Sequence, residues 1–323
     1  MIRTIHVGLG PLGQRIANDF STRGLGQIAA AVDLDPNLAG SDFHGTAVES
    51  DLDAALAKGD FDCALVTTSS DLSRCAPTFE GLLREGLPVV STCEELLWPW
   101  LRHEELARHL DEVAKKHGGQ LLGTGINPGF LMDTLPALTS AVCCKVDSVE
   151  AWRIQDATPR RIPFQRKIGA SLDLDAFAKK IEDGSLRHVG LGESLHFVAH
   201  TLGLGVERWD ETLEPVVAYR DMECGLGPIP SGHACGVRQV AEAWSGDART
   251  VRLEFVAAIG QSDPHDRVRI VGDPPVDMRI DGGVHGDVGT SAMVLNSIRP
   301  LMASQPGLHT MATIPLVAFS RAS

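Results

Sequence analysis

The sequence predicts an α/β protein of two domains, the first built on a parallel sheet and the second an α+β domain with a mostly antiparallel sheet. Three observations predict it. A chain of 323 residues suits about two domains at roughly 100–200 residues each. Between residues 4 and 125 short β-branched runs alternate with longer helical stretches, the sequence form of successive βαβ units. After Asn127 the strand-like runs lengthen and the helices thin out, as they do around an antiparallel sheet.

Strands are expected at 4–7, 27–32, 63–67, 88–92 and 120–123, with helices at 11–23, 52–58, 72–85 and 94–116 between them. Pro99 falls inside the last helix, which should break or kink there. The second domain should open with a helix over 130–142. Strands are then expected at 148–155, 213–220, 237–243, 251–259 and 266–271, with helices near 174–182 and 193–202. A final helix over 287–303, followed by a Pro306-Gly307 turn, should close back on the first domain. The expected division is 1–127, with 286–323 packing on it, and 128–285.

A net charge of −13 without any basic block argues against nucleic-acid or anionic-lipid binding, because both need a concentrated Lys/Arg surface. Seven cysteines, an odd number with no CxxC, read as free thiols in a reducing compartment. No run of 18 apolar residues appears and no signal-type segment opens the chain, so a soluble, cytoplasmic protein is expected.

Gly8-Leu9-Gly10-Pro11-Leu12-Gly13 follows a strand pattern and opens a helix pattern. Gly8 permits the tight turn, Gly10 lets backbone approach a pyrophosphate, Gly13 allows close helix-on-strand packing, and Pro11 suits a first helical turn. With Leu12 these residues form the phosphate-binding turn of a Rossmann domain. Asp33, 20 residues beyond Gly13 at the end of the second strand, is placed to accept ribose hydroxyls. A carboxylate there repels a 2′-phosphate, so the expected cofactor is NAD or NADP, with NAD favoured.

Glu94 and Glu95 follow the fourth strand, at the sheet edge where α/β proteins bind ligands. They suit acid–base work, or equally the dipole-favoured first turn of a helix. Asn127 suits either a carboxamide contact or a helix cap. His233 with Cys235, and His265 with Asp263 and Asp266, lack the spacing of a complete metal site, so no metal is expected. Ser69-Ser70 and Ser291 lack a nucleophile-elbow context.

Five ordered motifs carry a resemblance: Asn127-Pro128-Gly129-Phe130; Arg160-Arg161 with Gln165-Arg166-Lys167-Ile168-Gly169; His188-Val189-Gly190-Leu191 with Glu193-Ser194; Gly282-Gly283-Val284-His285-Gly286-Asp287; and Pro306-Gly307-Leu308 with Thr310-Met311. Together they resemble the 2,4-diaminopentanoate dehydrogenase family, which includes native amine dehydrogenases and is related to dihydrodipicolinate reductase. The resemblance implies a Rossmann domain plus an α+β domain for substrate binding and oligomerisation, in a homodimer. It also implies NAD(P)-dependent oxidative deamination of an amine to a ketone or aldehyde, with reductive amination by ammonia in reverse. The catalytic carboxylate of the family falls on Glu94 or Glu95, with Glu94 first. The cleft-wall phenylalanine falls on Phe130, and Arg161, Gln165 and His285 match motifs expected near substrate. Leu97-Trp98-Pro99-Trp100 departs from the pattern in being more aromatic, which bears on pocket size. Arg160-Arg161 fits a carboxylate clamp or a solvated basic patch. The alternative functions are an imine or enamine reductase like dihydrodipicolinate reductase, and a non-catalytic dinucleotide sensor.

Overall fold

The computed structural model describes residues 1–186 and 189–321. The chain folds into two compact units, one of Met1–Phe130 with His285–Ser323 and one of Leu131–Val284.

The first unit begins β1 (Ile2–Val7), α1 (Pro11–Thr22), β2 (Gly26–Val32), β3 (Asp42–Phe43), β4 (Thr46–Glu49), α2 (Leu52–Leu56) and β5 (Cys63–Val66). It continues α3 (Leu72–Arg84), β6 (Pro88–Ser91), α4 (Glu104–His117) and β7 (Gln120–Gly123). β5 and β7 are buried along their whole length, as strands of a parallel sheet covered on both faces must be. Asp71 caps α3 by accepting the Arg74 N–H at 3.2 Å, and that helix buries Leu72, Cys75, Phe79, Leu82 and Leu83.

Up to β7, two features differ from expectation. Residues 94–116 are not one helix but two 3-10 turns, Glu94–Leu97 and Pro99–Leu101, followed by α4. Pro99 lacks an N–H and disfavours helical backbone before it, and Trp98 accordingly sits at φ −142°, ψ 72°. The β3–β4 hairpin was not foreseen. Phe43 pairs with Thr46, and the two residues between them, His44 and Gly45, have φ of 54° and 86°, a primed turn that β-branched composition does not signal.

The second unit runs α5 (Thr134–Thr139), β8 (Lys145–Asp156), α6 (Ile162–Lys167), α7 (Leu174–Glu182), α8 (Leu191–Leu202) and β9 (Arg208–Val217). It ends β10 (Met222–Cys224), β11 (Gly227–Ile229), β12 (Ala234–Ser245), β13 (Ala248–Ala258), β14 (His265–Asp273) and β15 (Val276–Asp281). Its six-stranded sheet has the order β15-β14-β8-β13-β12-β9, antiparallel throughout except for the parallel β8–β13 pair. From Val149 to Asp156, β8 alternates buried and half-buried residues, the pattern of a strand with one face on a core. The helix expected over 130–142 begins only at Thr134, where Asp133 caps α5, and its last turn, Ser140–Val142, is 3-10.

The chain then returns to the first unit as α9 (Gly286–Met302) and β16 (Gly307–His309). Gly307 was expected in a turn; at φ 145° it instead opens β16, which pairs in parallel with β7. Asp111 holds this strand by accepting the Leu308 N–H at 2.9 Å. The completed sheet has the order β16-β7-β6-β5-β1-β2-β4-β3. Connections leave β1 toward β2 on one side and β5 on the other, so the carboxyl ends of β1 and β5 frame a topological switch point. Among the described residues no helix is long and apolar enough to cross a membrane.

Candidate functional site

The glycine-rich turn leaves β1 at that switch point. Gly8 has φ 91°, and a Cβ there would come within 2.8 Å of the Thr67 backbone. A Cβ on Gly13 would collide with the Gly8 carbonyl, so both glycines are required by contact. Gly10 is different: nothing lies within 4 Å of its Cβ direction, and as the residue preceding α1 it provides no side-chain cap. Pro11 supplies the first residue of the helix without wasting an N–H, and the Leu12 and Gly13 amides follow in its first turn. This end of α1 fits a phosphate. Thr67, which the sequence reading did not single out, fastens the turn by donating its hydroxyl to the Gly8 carbonyl at 2.6 Å.

Asp33 is tied into the same turn. Its Oδ2 accepts the Leu9 N–H at 2.6 Å and its Oδ1 the Asp35 N–H at 2.9 Å. Each carboxylate oxygen has a second lone pair to offer a ribose hydroxyl, so the structural bonds do not exhaust it.

The Glu94–Glu95 pair divides. Glu95 is 5% exposed, and its Oε2 accepts the Leu72 N–H at the start of α3 and lies 2.9 Å from His103 Nε2. Its own N–H donates to the Ser70 carbonyl at 3.2 Å. Glu95 therefore stitches the β6 loop to two helices, while Glu94, one residue earlier on the 3-10 turn, is only half-buried. Trp98 and Trp100 beyond it pack edge to face on each other, with ring centroids 4.8 Å apart.

After β7 the loop runs through a cis Asn127–Pro128 bond. Asn127 caps no helix, since that role for α5 belongs to Asp133. Its Nδ2 is buried without a hydrogen-bond partner, as is Oγ1 of Thr124, a residue 4% exposed. Orphaned buried polar groups are costly, and a pair of them at a sheet's carboxyl edge marks a place built for a polar ligand group. The Ile126 N–H donates to Thr290 Oγ1 at 3.3 Å, fixing this loop to α9. His285 precedes α9, exposed and without a side-chain capping bond, and Phe130 ends the unit half-buried. The uncapped α1 terminus, the open face of Gly10 and the orphaned Asn127 amide together fit a dinucleotide.

In the second unit the motif residues are mostly engaged with backbone. Gln165 is 2% exposed; its Nε2 donates to the carbonyls of Ala157, Thr158 and Arg160, each at 3.1 Å, and its Oε1 accepts the Gly225 N–H at 2.8 Å. Arg160 stacks over Phe164 at 4.1 Å, while Arg161 is exposed at the start of α6. Ser194 donates to Asp133 Oδ2 at 2.8 Å, both fully buried beside Glu193. His188 lies outside the described residues.

Asp266 is engaged within the protein. Its Oδ1 pairs with Arg153 at 2.9 Å and its Oδ2 accepts the Val284 N–H at 2.7 Å, while Arg153 also donates to the Val284 carbonyl. The pair, 2% and 3% exposed, grips both sides of the Val284 peptide; the sequence reading missed it because nothing in one strand announces its partner in the next.

Comparison with known proteins matches residues 130–322 to the model of the 2,4-diaminopentanoate dehydrogenase C-terminal domain. A 2,4-diaminopentanoate dehydrogenase of Acetoanaerobium sticklandii is 28% identical, over 79% of this chain and 74% of that protein. An amine dehydrogenase of Streptomyces virginiae is 25% identical, over 72% of this chain and 71% of that protein. Among solved structures an amine dehydrogenase from Mycobacterium smegmatis shares the fold, with a TM-score of 0.87 at 20% identity over 100% of this chain and 98% of that one.

Proposed function

Because the chain belongs to the 2,4-diaminopentanoate dehydrogenase family and is thereby an oxidoreductase, we propose that it is an NAD(P)-dependent amine dehydrogenase. In this reading it oxidises an amine to a ketone or aldehyde and runs the reverse with ammonia. The observation that carries the proposal is the arrangement of one sheet edge. The phosphate-type turn follows β1, Glu94 follows β6, and the orphaned Asn127 amide follows β7, all at carboxyl ends of the same parallel sheet.

The α1 N-terminus with Gly8, Gly10, Pro11, Leu12 and Gly13 would hold the pyrophosphate, Asp33 the ribose hydroxyls and Asn127 the carboxamide. Asp33 favours NAD over NADP. When bound, the dinucleotide supplies hydride transfer at its nicotinamide carbon.

Glu94 is the working carboxylate in this scheme. It takes a proton from the substrate ammonium and passes it to solvent, then as a carboxylate faces the positive charge of the substrate iminium and orients the water that completes deamination. In the reverse direction the same oxygen gives a proton to the hydroxyl of the ammonia adduct, whose C–O bond breaks as it departs as water. Glu95 and His103 hold the Glu94 turn against α3 and α4. Phe130, Arg161 and His285 are proposed to contact substrate, Arg161 through a carboxylate where the amine carries one.

Unit 2 is proposed to carry the substrate and dimer surfaces. One face of its sheet is laced by ion pairs: Arg238 with Glu214 and Glu254, Arg252 with Glu254 and Glu242, and Arg249 with Glu242 and Glu150. Charges of both signs in rows can meet a two-fold-related copy in register. Light scattering at micromolar protein should return twice the chain mass, and a monomer would remove the dimer from the proposal.

The function is tested by following NADH and NADPH oxidation with a panel of small ketones and aldehydes, with and without ammonium. Oxidation that requires ammonium is the expected result. Oxidation equally fast without it would replace amine dehydrogenation with carbonyl or imine reduction.

A further inference from the structure

Directly beneath the Glu94 turn lie two cysteines for which the reaction has no use. Cys75 sits in the first turn of α3 and Cys93 immediately precedes Glu94; they are 1% and 2% exposed. The two thiols are near enough for each to perturb the other. Each sulfur lies within reach of one of two consecutive carbonyls of the β5–α3 loop, Cys75 Sγ 3.4 Å from that of Ser69 and Cys93 Sγ 3.3 Å from that of Ser70. The same Ser70 carbonyl accepts the Glu95 N–H. Thr68 Oγ1 adds a contact to Cys75 Sγ at 3.5 Å. Two sulfurs from separate elements, set against consecutive carbonyls of one loop, form a cluster of nucleophilic groups.

We propose that Cys75 and Cys93 are a redox modification site, a thiol pair that a hydroperoxide converts to a disulfide and a dithiol reductant restores. Hydrogen bonds from Cys93 and Thr68 bring the Cys75 thiol down to about 7 against the opposing effect of burial, whereas the Cys93 thiol is held up by its bond to Cys75 and by burial. Cys75 is thus the attacking sulfur. Its thiolate attacks one peroxide oxygen, the O–O bond breaks, and the leaving hydroxide takes up a proton as water, giving a sulfenic acid. The Cys93 sulfur then attacks the sulfenic sulfur, the S–O bond breaks, and the departing hydroxide leaves as water with the Cys93 proton. Two thiols have lost two electrons and the peroxide has gained them.

The consequence follows from the hydrogen bonds. A disulfide removes both S–H donors, leaves the Ser69 and Ser70 carbonyls without those partners, and draws the sulfurs to a separation of about 2 Å. Because Cys93 is covalently next to Glu94, the carboxylate moves with it. A displacement of about 1 Å at such a group costs on the order of a hundredfold in rate. That effect on rate rests on the reading of Glu94 above; disulfide formation does not.

The test treats the reduced full-length protein with hydrogen peroxide, blocks remaining thiols in denaturant, and maps the peptides. The expected product is a Cys75–Cys93 crosslinked peptide that dithiothreitol removes, present in wild type and in Cys143→Ser/Cys144→Ser and absent from Cys75→Ser and Cys93→Ser. Full alkylation of both Cys75 and Cys93 after peroxide, with oxidation confined to the exposed Cys144, would overturn the proposal. A parallel assay of ammonium-dependent turnover should fall at least about tenfold on oxidation and recover on reduction. If the disulfide forms but the reduced protein never turns over an amine or ketone, the redox site stands and the functional reading fails.

Discussion

The two units spend their polar residues differently. In the first, backbone geometry creates the site: two glycines are demanded by contact, a helix end is left without a side-chain cap, and polar atoms of Thr124 and Asn127 are buried without partners. In the second, although His233 Nδ1 is buried without a partner, the motif residue Gln165 is bonded four times to backbone and Arg153–Asp266 is closed around the Val284 peptide. Unsatisfied groups point to a ligand, whereas saturated ones point to the fold. A motif residue can belong to either kind, and only its hydrogen bonds tell which.

The sharpest break of this contrast lies within one turn of the first unit. Glu94→Gln is expected to lower turnover by about 10²–10⁴ while leaving dinucleotide affinity, measured by fluorescence titration, within about twofold. Glu95→Ala should do something else: it strips the Leu72 N–H and His103 of their acceptor and lowers the melting temperature. Should Glu95→Gln abolish turnover in a protein of unchanged stability, and Glu94→Gln leave it intact, the two roles are exchanged.

In the second unit the largest effect should come from Arg153→Met. It leaves Asp266 charged and buried without its counter-ion, at a cost of about 3–5 kcal/mol in urea unfolding. The double variant Arg153→Met/Asp266→Leu should recover more than half of that, because the uncompensated charge is gone. Equal losses in the single and double variants would mean that the grip on Val284, rather than the charge, carries the stability.

Gln165→Ala separates the two kinds of motif residue. Loss of its amide leaves the Gly225 N–H and three carbonyls without this partner and should destabilise by about 1–3 kcal/mol. Its KM for any carbonyl substrate should stay within about threefold. A KM raised tenfold or more at unchanged melting temperature would return Gln165 to the substrate pocket.

These contrasts also explain what could be read in advance. Gly8, Gly13 and the strands around them were legible because close contact and β-branched burial both restrict residue type at the position concerned. The β3–β4 hairpin was not, because its turn carries His44 at φ 54° where Asn, Asp or Gly is the usual signal. β15 escaped because its Val-Asp-Met-Arg-Ile-Asp alternation is half charged and only half-buried. Among site residues, sequence position placed Glu94 and Glu95 together but carried no trace of the Leu72 and His103 contacts that distinguish them, since both partners come from other elements.

The smallest expected effect concerns how each unit treats a buried titratable group, for unit 2 keeps the Arg153–Asp266 charges whereas unit 1 discards one. His6 is 2% exposed on β1, bonded to Thr4 Oγ1 at 3.1 Å and edge-on to Phe20, and burial, reinforced by repulsion from His44, lowers its pKa from 6.5 to about 3. The unfolded chain therefore binds a proton that the folded chain refuses between these values. Stability from this group is complete above pH 6.5 and declines as pH falls toward 3, by up to about 1.4 kcal/mol per pH unit. Urea midpoints at pH 7 and pH 5 should differ more for wild type than for His6→Gln, which carries no proton to exclude. Identical pH dependence in the two proteins would mean that His6 gains a counter-charge on protonation, and that the first unit, like the second, holds charge in its core.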